Sequence, residues 1–108
     1  MKSEVYFADK KLKGAYDTLK EGKFEDKRLY DLINHAIDDL REDAFAGTQV
    51  QKRLIPKEYL KYGIDNLWKY DLPNGWRLMY SVGREEIKII SIILEWLDHK
   101  EYERRFSY

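Results

Sequence analysis

The sequence predicts an α+β domain in the order β-α-α-β-β-β-α: a curved, mainly antiparallel sheet with a helical pair over one face. Three observations predict it. Apolar residues recur twice at helical spacing in the first half of the chain, a tight hairpin spans 66–82, and an isoleucine-rich strand follows at 87–97. Two amphipathic helices ahead of a three-strand meander can bury their apolar stripes only against one face of the sheet. The other face is then expected to stay open.

Glu4 to Ala8 reads as a short strand with Val5 and Phe7 on one face, and Asp9 is placed to cap the helix after it. From Leu12 the spacing becomes helical, with Leu12, Ala15, Tyr16 and Leu19 in one stripe and Gly22 as the stop. A second helix, Glu25 to Asp43, carries the unbroken stripe Leu29, Leu32, Ile33, Ala36, Ile37 and Leu40. Ala46-Gly47-Thr48 ends it, an extended basic loop runs from Gln49 to Lys57, and a helical turn around Glu58 to Tyr62 is broken by Gly63.

In the hairpin, Leu72 and Trp76 flank Pro73-Asn74-Gly75, a three-residue loop with glycine at its left-handed position. That pairing puts Trp68, Tyr70, Leu72, Trp76, Leu78, Tyr80 and Val82 on one face and Lys69, Asp71 and Arg77 on the other. A two-residue Asn74-Gly75 loop would slip the register by one and set Arg77 among the aromatics, which burial costs disfavour. The strand IKIISIILEWL, residues 87–97, is apolar on both faces and so belongs at the centre of the sheet. Asp98-His99 opens a terminal helix, HKEYERRF.

The 108 residues suffice for a single domain, 1–108, with its own core. The absence of cysteine excludes thiol catalysis, disulfides and thiolate metal sites. The two histidines, His35 and His99, form no metal-binding spacing, and no cofactor is expected. Met1 is followed by KSEVYFADKK, without an apolar signal core, so cytoplasmic residence is the expectation. The longest apolar run, Ile89 to Leu94, is too short to cross a bilayer. Twenty basic against twenty acidic residues leave a net charge of zero, so only the distribution of charge can argue for nucleic acid. Acidic residues gather at 38–43, and basic ones at Lys52, Arg53, Lys57, Lys61, Arg104 and Arg105.

Arg77, on a rigid strand beside Gly75-Trp76, is suited to gripping a phosphate. It equally reads as one half of a cross-strand ion pair with Asp71. Lys69, two residues before Asp71 on the same face, is placed either to polarise a phosphate oxygen or to sit solvated. The tail offers an imidazole in His99, a donor in Lys100, a phenol in Tyr102 and phosphate anchors in Arg104 and Arg105. Such a set can cleave RNA by general acid-base chemistry, because the 2′-hydroxyl supplies the nucleophile. The same residues also read as a plain helix, capped by Asp98 and packed through Tyr102 and Phe106. Trp68, Tyr70, Trp76 and Tyr80 belong to the buried face and make no base-stacking platform.

The element order and two segments of this chain resemble the RelE/ParE superfamily of type II toxins, small bacterial and archaeal proteins held inactive by a cognate antitoxin. LWKYDLPNGWRLMYSV is similar to the family's K-x-(K/R)-L…G-(Y/H)-R-L-(V/I)-Y pattern, and HKEYERRF to its H-(R/K)…Y ending. The resemblance spans nearly the whole chain. It implies, in the RelE branch, a metal-independent endoribonuclease that cuts mRNA in the ribosomal A site, the 2′-oxygen attacking the adjacent phosphate. Arg77 then falls on the transition-state arginine and Lys69 on a catalytic lysine. His99, Lys100 and Tyr102 fall near terminal positions that orient the phosphate or exchange protons, and Lys52, Arg53, Lys57, Arg104 and Arg105 are the expected RNA-binding residues. The implied partners are an antitoxin, mRNA and the ribosome, with no membrane and a possible homodimer when free. Asp71 stands where basic members carry a second lysine or arginine, and its carboxylate opposes an anionic substrate by like charge. A ParE-like toxin acting on DNA gyrase without nuclease chemistry, or an inactive toxin-like binding module, are the alternatives.

Overall fold

The Asp9 carboxylate accepts a hydrogen bond from the Leu12 backbone N–H at 2.8 Å, which satisfies an otherwise orphaned donor and starts the first helix immediately after the first strand. The computed structural model describes residues 1–107. β1 (Glu4–Phe7) leads into α1 (Lys10–Leu19) and α2 (Phe24–Glu42). β2 (Thr48–Gln49), β3 (Trp68–Asp71), β4 (Arg77–Glu85) and β5 (Lys88–Leu97) follow, and α3 (His99–Arg105) comes last. The order has one strand more than the sequence predicts. The additional β2 is a two-residue, fully exposed segment with no periodicity to betray it.

The five strands form one mixed sheet in the order β1-β5-β4-β3-β2, with β1 parallel to β5 and the other pairs antiparallel. The domain is therefore α+β. The hairpin adopts the expected register: Leu72 N–H donates to the Trp76 carbonyl at 2.8 Å, and Asp71 faces Arg77, Tyr70 faces Leu78 and Trp68 faces Tyr80. Asn74 and Gly75 both take positive φ, 64° and 80°, which the asparagine-glycine pair permits at little cost.

Leu72, Leu78, Tyr80 and Ile93 on the sheet bury against Tyr16 of α1 and Leu29, Ile33, Ala36, Ile37 and Leu40 of α2. Trp68, Tyr70, Trp76 and Val82 pack around this core. Ala15 is exposed rather than buried, because it lies at the edge of the stripe made by Leu12, Tyr16 and Leu19 and nothing packs over it.

The opposite face is not left open. Met79, Leu94 and Leu97 pack there with Tyr59, Leu67 and Phe106 into a second core. The covering layer comes from α3 and from the segment expected to be an extended basic loop. That segment instead folds through β2 and a 3₁₀ turn, Lys52–Leu54, and the expected helical turn follows it as a second 3₁₀ turn, Lys57–Tyr62, which carries Tyr59 to the sheet and ends at Gly63 with φ 67°. Two covered faces explain why β5 is apolar on both.

The register between β4 and β5 slips once: Met79 faces Glu95, whereas Tyr80 faces Ile93. Leu94 is the extra residue of this bulge. Leu94 consequently enters the second core, and Glu95 reaches toward α3, where it meets Arg105.

Tyr80 joins the sheet to the loop after α2. Its buried hydroxyl donates to the Ala44 carbonyl at 2.8 Å and accepts from the Gly47 N–H at 3.0 Å. A side chain on Gly47 would come within 2.5 Å of the Lys69 carbonyl, so only glycine lets the chain approach β3 this closely. Burial pushes the Tyr80 phenol up to about 12. Tyr80→Phe strands a buried carbonyl and a half-buried N–H, and unfolding in urea should show a loss of about 1–3 kcal/mol at unchanged m-value. Unaltered stability would show that the hydroxyl is no anchor.

Candidate functional site

Strand alternation sends Lys69, Asp71 and Arg77 to the face opposite the helical pair, at the end of the sheet next to the hairpin loop. α3 packs across the same end, and Gly75 is where the two meet. A Cβ on Gly75 would lie 3.0 Å from the His99 Cβ, so the missing side chain makes room for the first turn of α3. Asp98 caps that turn, accepting from the Glu101 N–H at 2.7 Å.

The geometry brings three of the five candidate catalytic residues together. The Arg77 guanidinium carbon lies 5.0 Å from the centre of the Tyr102 ring, and the Lys69 ammonium lies 5.6 Å from the same ring. Arg77 Nη1 donates to the Gly75 carbonyl at 2.7 Å, which pins the guanidinium to the loop. Its side chain is only 18% exposed and that of Lys69 24%, so both cations are largely withdrawn from water.

Asp71 binds both. Its Oδ1 is 3.0 Å from Arg77 Nε and 3.5 Å from Lys69 Nζ. The ion pair that sequence alone could not separate from a phosphate site is thus present within the cationic cluster. The contact with Arg77 is electrostatic rather than a formed hydrogen bond: the buried Nε–H has no in-line acceptor, because the carboxylate lies to its side.

His99 stands beside the loop, but its imidazole is exposed and turns along α3, with Nε2 3.5 Å from Glu103 Oε1. Lys100 is exposed and is not drawn into the cluster. Among the expected RNA-binding residues, Arg53, Lys57, Arg104 and Arg105 line one groove of about 330 Å³ between the 3₁₀ turns and α3, while Lys52 is exposed and does not line it. Arg105 is committed elsewhere. Its Nη1 donates to both carboxylate oxygens of Glu95, at 3.0 and 2.9 Å, and Nε lies 3.7 Å from Glu58.

Glu95 and Tyr59 escaped the sequence reading. A single carboxylate in a strand apolar on both faces demands a cationic partner, and that demand was the available signal. Burial raises the Glu95 carboxyl above the usual glutamate range, although Arg105 pulls it back. Burial likewise raises the Tyr59 phenol, beside which Arg105 packs 5.7 Å from the ring centre. The pair ties α3 to the bulge and thereby holds Tyr102 over Arg77.

Among the described residues no three histidine, aspartate or glutamate side chains are grouped to hold a metal ion. No helix among them is long and apolar enough to cross a membrane. No protein-family model, no curated protein and no solved structure matches this chain.

The raised carboxyl of Glu95 sets a pH dependence. The native state holds this proton more tightly than the unfolded chain, so the stability it contributes is full below the ordinary glutamate value and is lost as pH rises through the raised one. Glu95→Gln removes that loss. Denaturation curves between about pH 4 and pH 7 should therefore show stability climbing more steeply with pH in the variant than in the parent. Parallel profiles would mean that Glu95 keeps an ordinary affinity for its proton.

Proposed function

We propose that this protein is a RelE-like toxin of a type II toxin-antitoxin system, an endoribonuclease that cuts mRNA at the ribosome without using a metal. The observation that carries this reading is the convergence of Lys69, Arg77 and Tyr102, from β3, β4 and α3, around one point at the end of the sheet. RNA brings its own nucleophile, so the protein needs only to hold the phosphate, stabilise added charge and move two protons. The bond from O2′ to phosphorus forms as the bond to O5′ breaks, leaving a cyclic phosphate and a free 5′-hydroxyl. Arg77 holds the phosphoryl oxygens, Lys69 offsets their gathering charge, and Tyr102 lies beside both for proton transfer.

A second groove, lined by Arg53, Lys57 and Arg104 together with Glu58, supports a backbone track for the message. An antitoxin requires a different surface. The outer edge of β1, with the groove of about 640 Å³ lined by Val5, Phe7, Tyr16 and Tyr30, suits an added strand or helix and serves equally for a second copy. A second reading, a ParE-like toxin directed at gyrase, draws support from Asp71, whose carboxylate offsets one of the two cations that nuclease chemistry needs.

Induced expression should arrest growth and leave messages cut within translated codons. Arg77→Ala should abolish both while keeping the fold, with cleavage slowed by roughly 10²–10³-fold, the scale for losing one preorganised charge stabiliser. Arrest with intact messages and inhibited supercoiling would replace the nuclease by the gyrase reading. Normal growth would leave a binding module without toxicity.

A further inference from the structure

We propose that Asp71 is the specificity-determining residue of this cluster: seated between both cations, its carboxylate matches the site to a ligand bearing one negative charge, an internal phosphodiester, and discriminates against doubly charged terminal phosphates. The inference rests on the reading of Lys69 and Arg77 as a phosphate-binding pair. Two cations and one carboxylate within 3.0 and 3.5 Å sum to a single positive charge, the complement of one phosphodiester. A terminal phosphate carries about one and a half to two charges near neutral pH and so meets up to twice the repulsion from the Asp71 carboxylate that a diester meets.

Asp71 tunes the site without filling it. It is 61% exposed, so its carboxylate can shift toward solvent when a ligand arrives. This sorts ligands by charge, and it favours cutting within a strand over acting on a phosphorylated end. A carboxylate that served only the hairpin as a cross-strand pair would leave the cluster indifferent to ligand charge.

Repulsion from a fixed charge scales with the charge of the ligand, which makes the proposal quantitative. The full-length protein and its Asp71→Asn and Asp71→Ala variants are titrated at fixed low salt and pH 8 with two probes. One is a deoxydinucleoside monophosphate, singly charged and uncleavable through a 2′-oxygen; the other is a deoxynucleoside 5′-monophosphate, doubly charged. Both substitutions should tighten the diester by about tenfold and the monoester by about the square of that factor, about a hundredfold, shifting the preference toward the monoester. Equal gains for both probes, or weaker binding of both, would overturn the proposal and leave Asp71 as a group that merely positions Arg77. Failure of both probes to bind any of the three proteins would overturn it together with the phosphate-binding pair beneath it. Message cleavage in cells combined with equal gains would overturn charge matching alone.

Discussion

The hydrogen bond from Leu72 N–H to the Trp76 carbonyl, 2.8 Å long, closes a three-residue loop and sets the parity of every side chain in the hairpin. With that parity, Trp68, Tyr70, Leu78 and Tyr80 meet the helices while Lys69 and Arg77 meet Tyr102 of α3 and Asp71 pairs with both. A slip of one residue would send a guanidinium and an ammonium into an apolar core, at several kcal/mol each by the general cost of burying unpaired charge. The site and the core are thus specified by the same turn.

α3 completes the arrangement through contacts remote from the cations. The β5 bulge carries Leu94 into the second core and directs Glu95 to Arg105, so the terminal helix is fixed to the sheet at its last turn. At its first turn it rests on the bare backbone of Gly75. Between those two attachments Tyr102 has little choice of position, and its ring lies beside Arg77 and Lys69. Arg77 in turn is held by backbone carbonyls, a carboxylate and an aromatic face, so its guanidinium is fixed before any ligand arrives. Such preorganisation lowers what a ligand must spend on ordering the site.

Local chemistry was the part of this fold legible in the sequence. Asp9 and Asp98 announced their caps, the Leu72 and Trp76 pair announced the register, and the α2 stripe announced its buried face, because each is decided within a few neighbouring residues. The second core was not legible. Tyr59, Leu67, Met79, Leu94 and Phe106 follow no shared period, and their association depends on 3₁₀ turns and on a one-residue slip that leaves no pattern. The candidate site divided along the same line. Lys69, Asp71 and Arg77 followed from strand alternation, but Lys100 is exposed, the exposed imidazole of His99 meets Glu103, and Arg105 belongs to Glu95. Side-chain direction on a short helix depends on how that helix is anchored, which no local rule supplies.

The central claim is that Arg77 and Tyr102 together form the surface that receives a ribonucleotide linkage. Titration with a 2′-O-methyl oligoribonucleotide, which cannot attack its own phosphate, tests it most directly when followed through the side-chain NMR signals of both residues. The account predicts that the Arg77 Nε–H and the Tyr102 ring protons shift together, with one saturation curve. Signals that stay still at both residues while others move at the outer edge of β1 would contradict it.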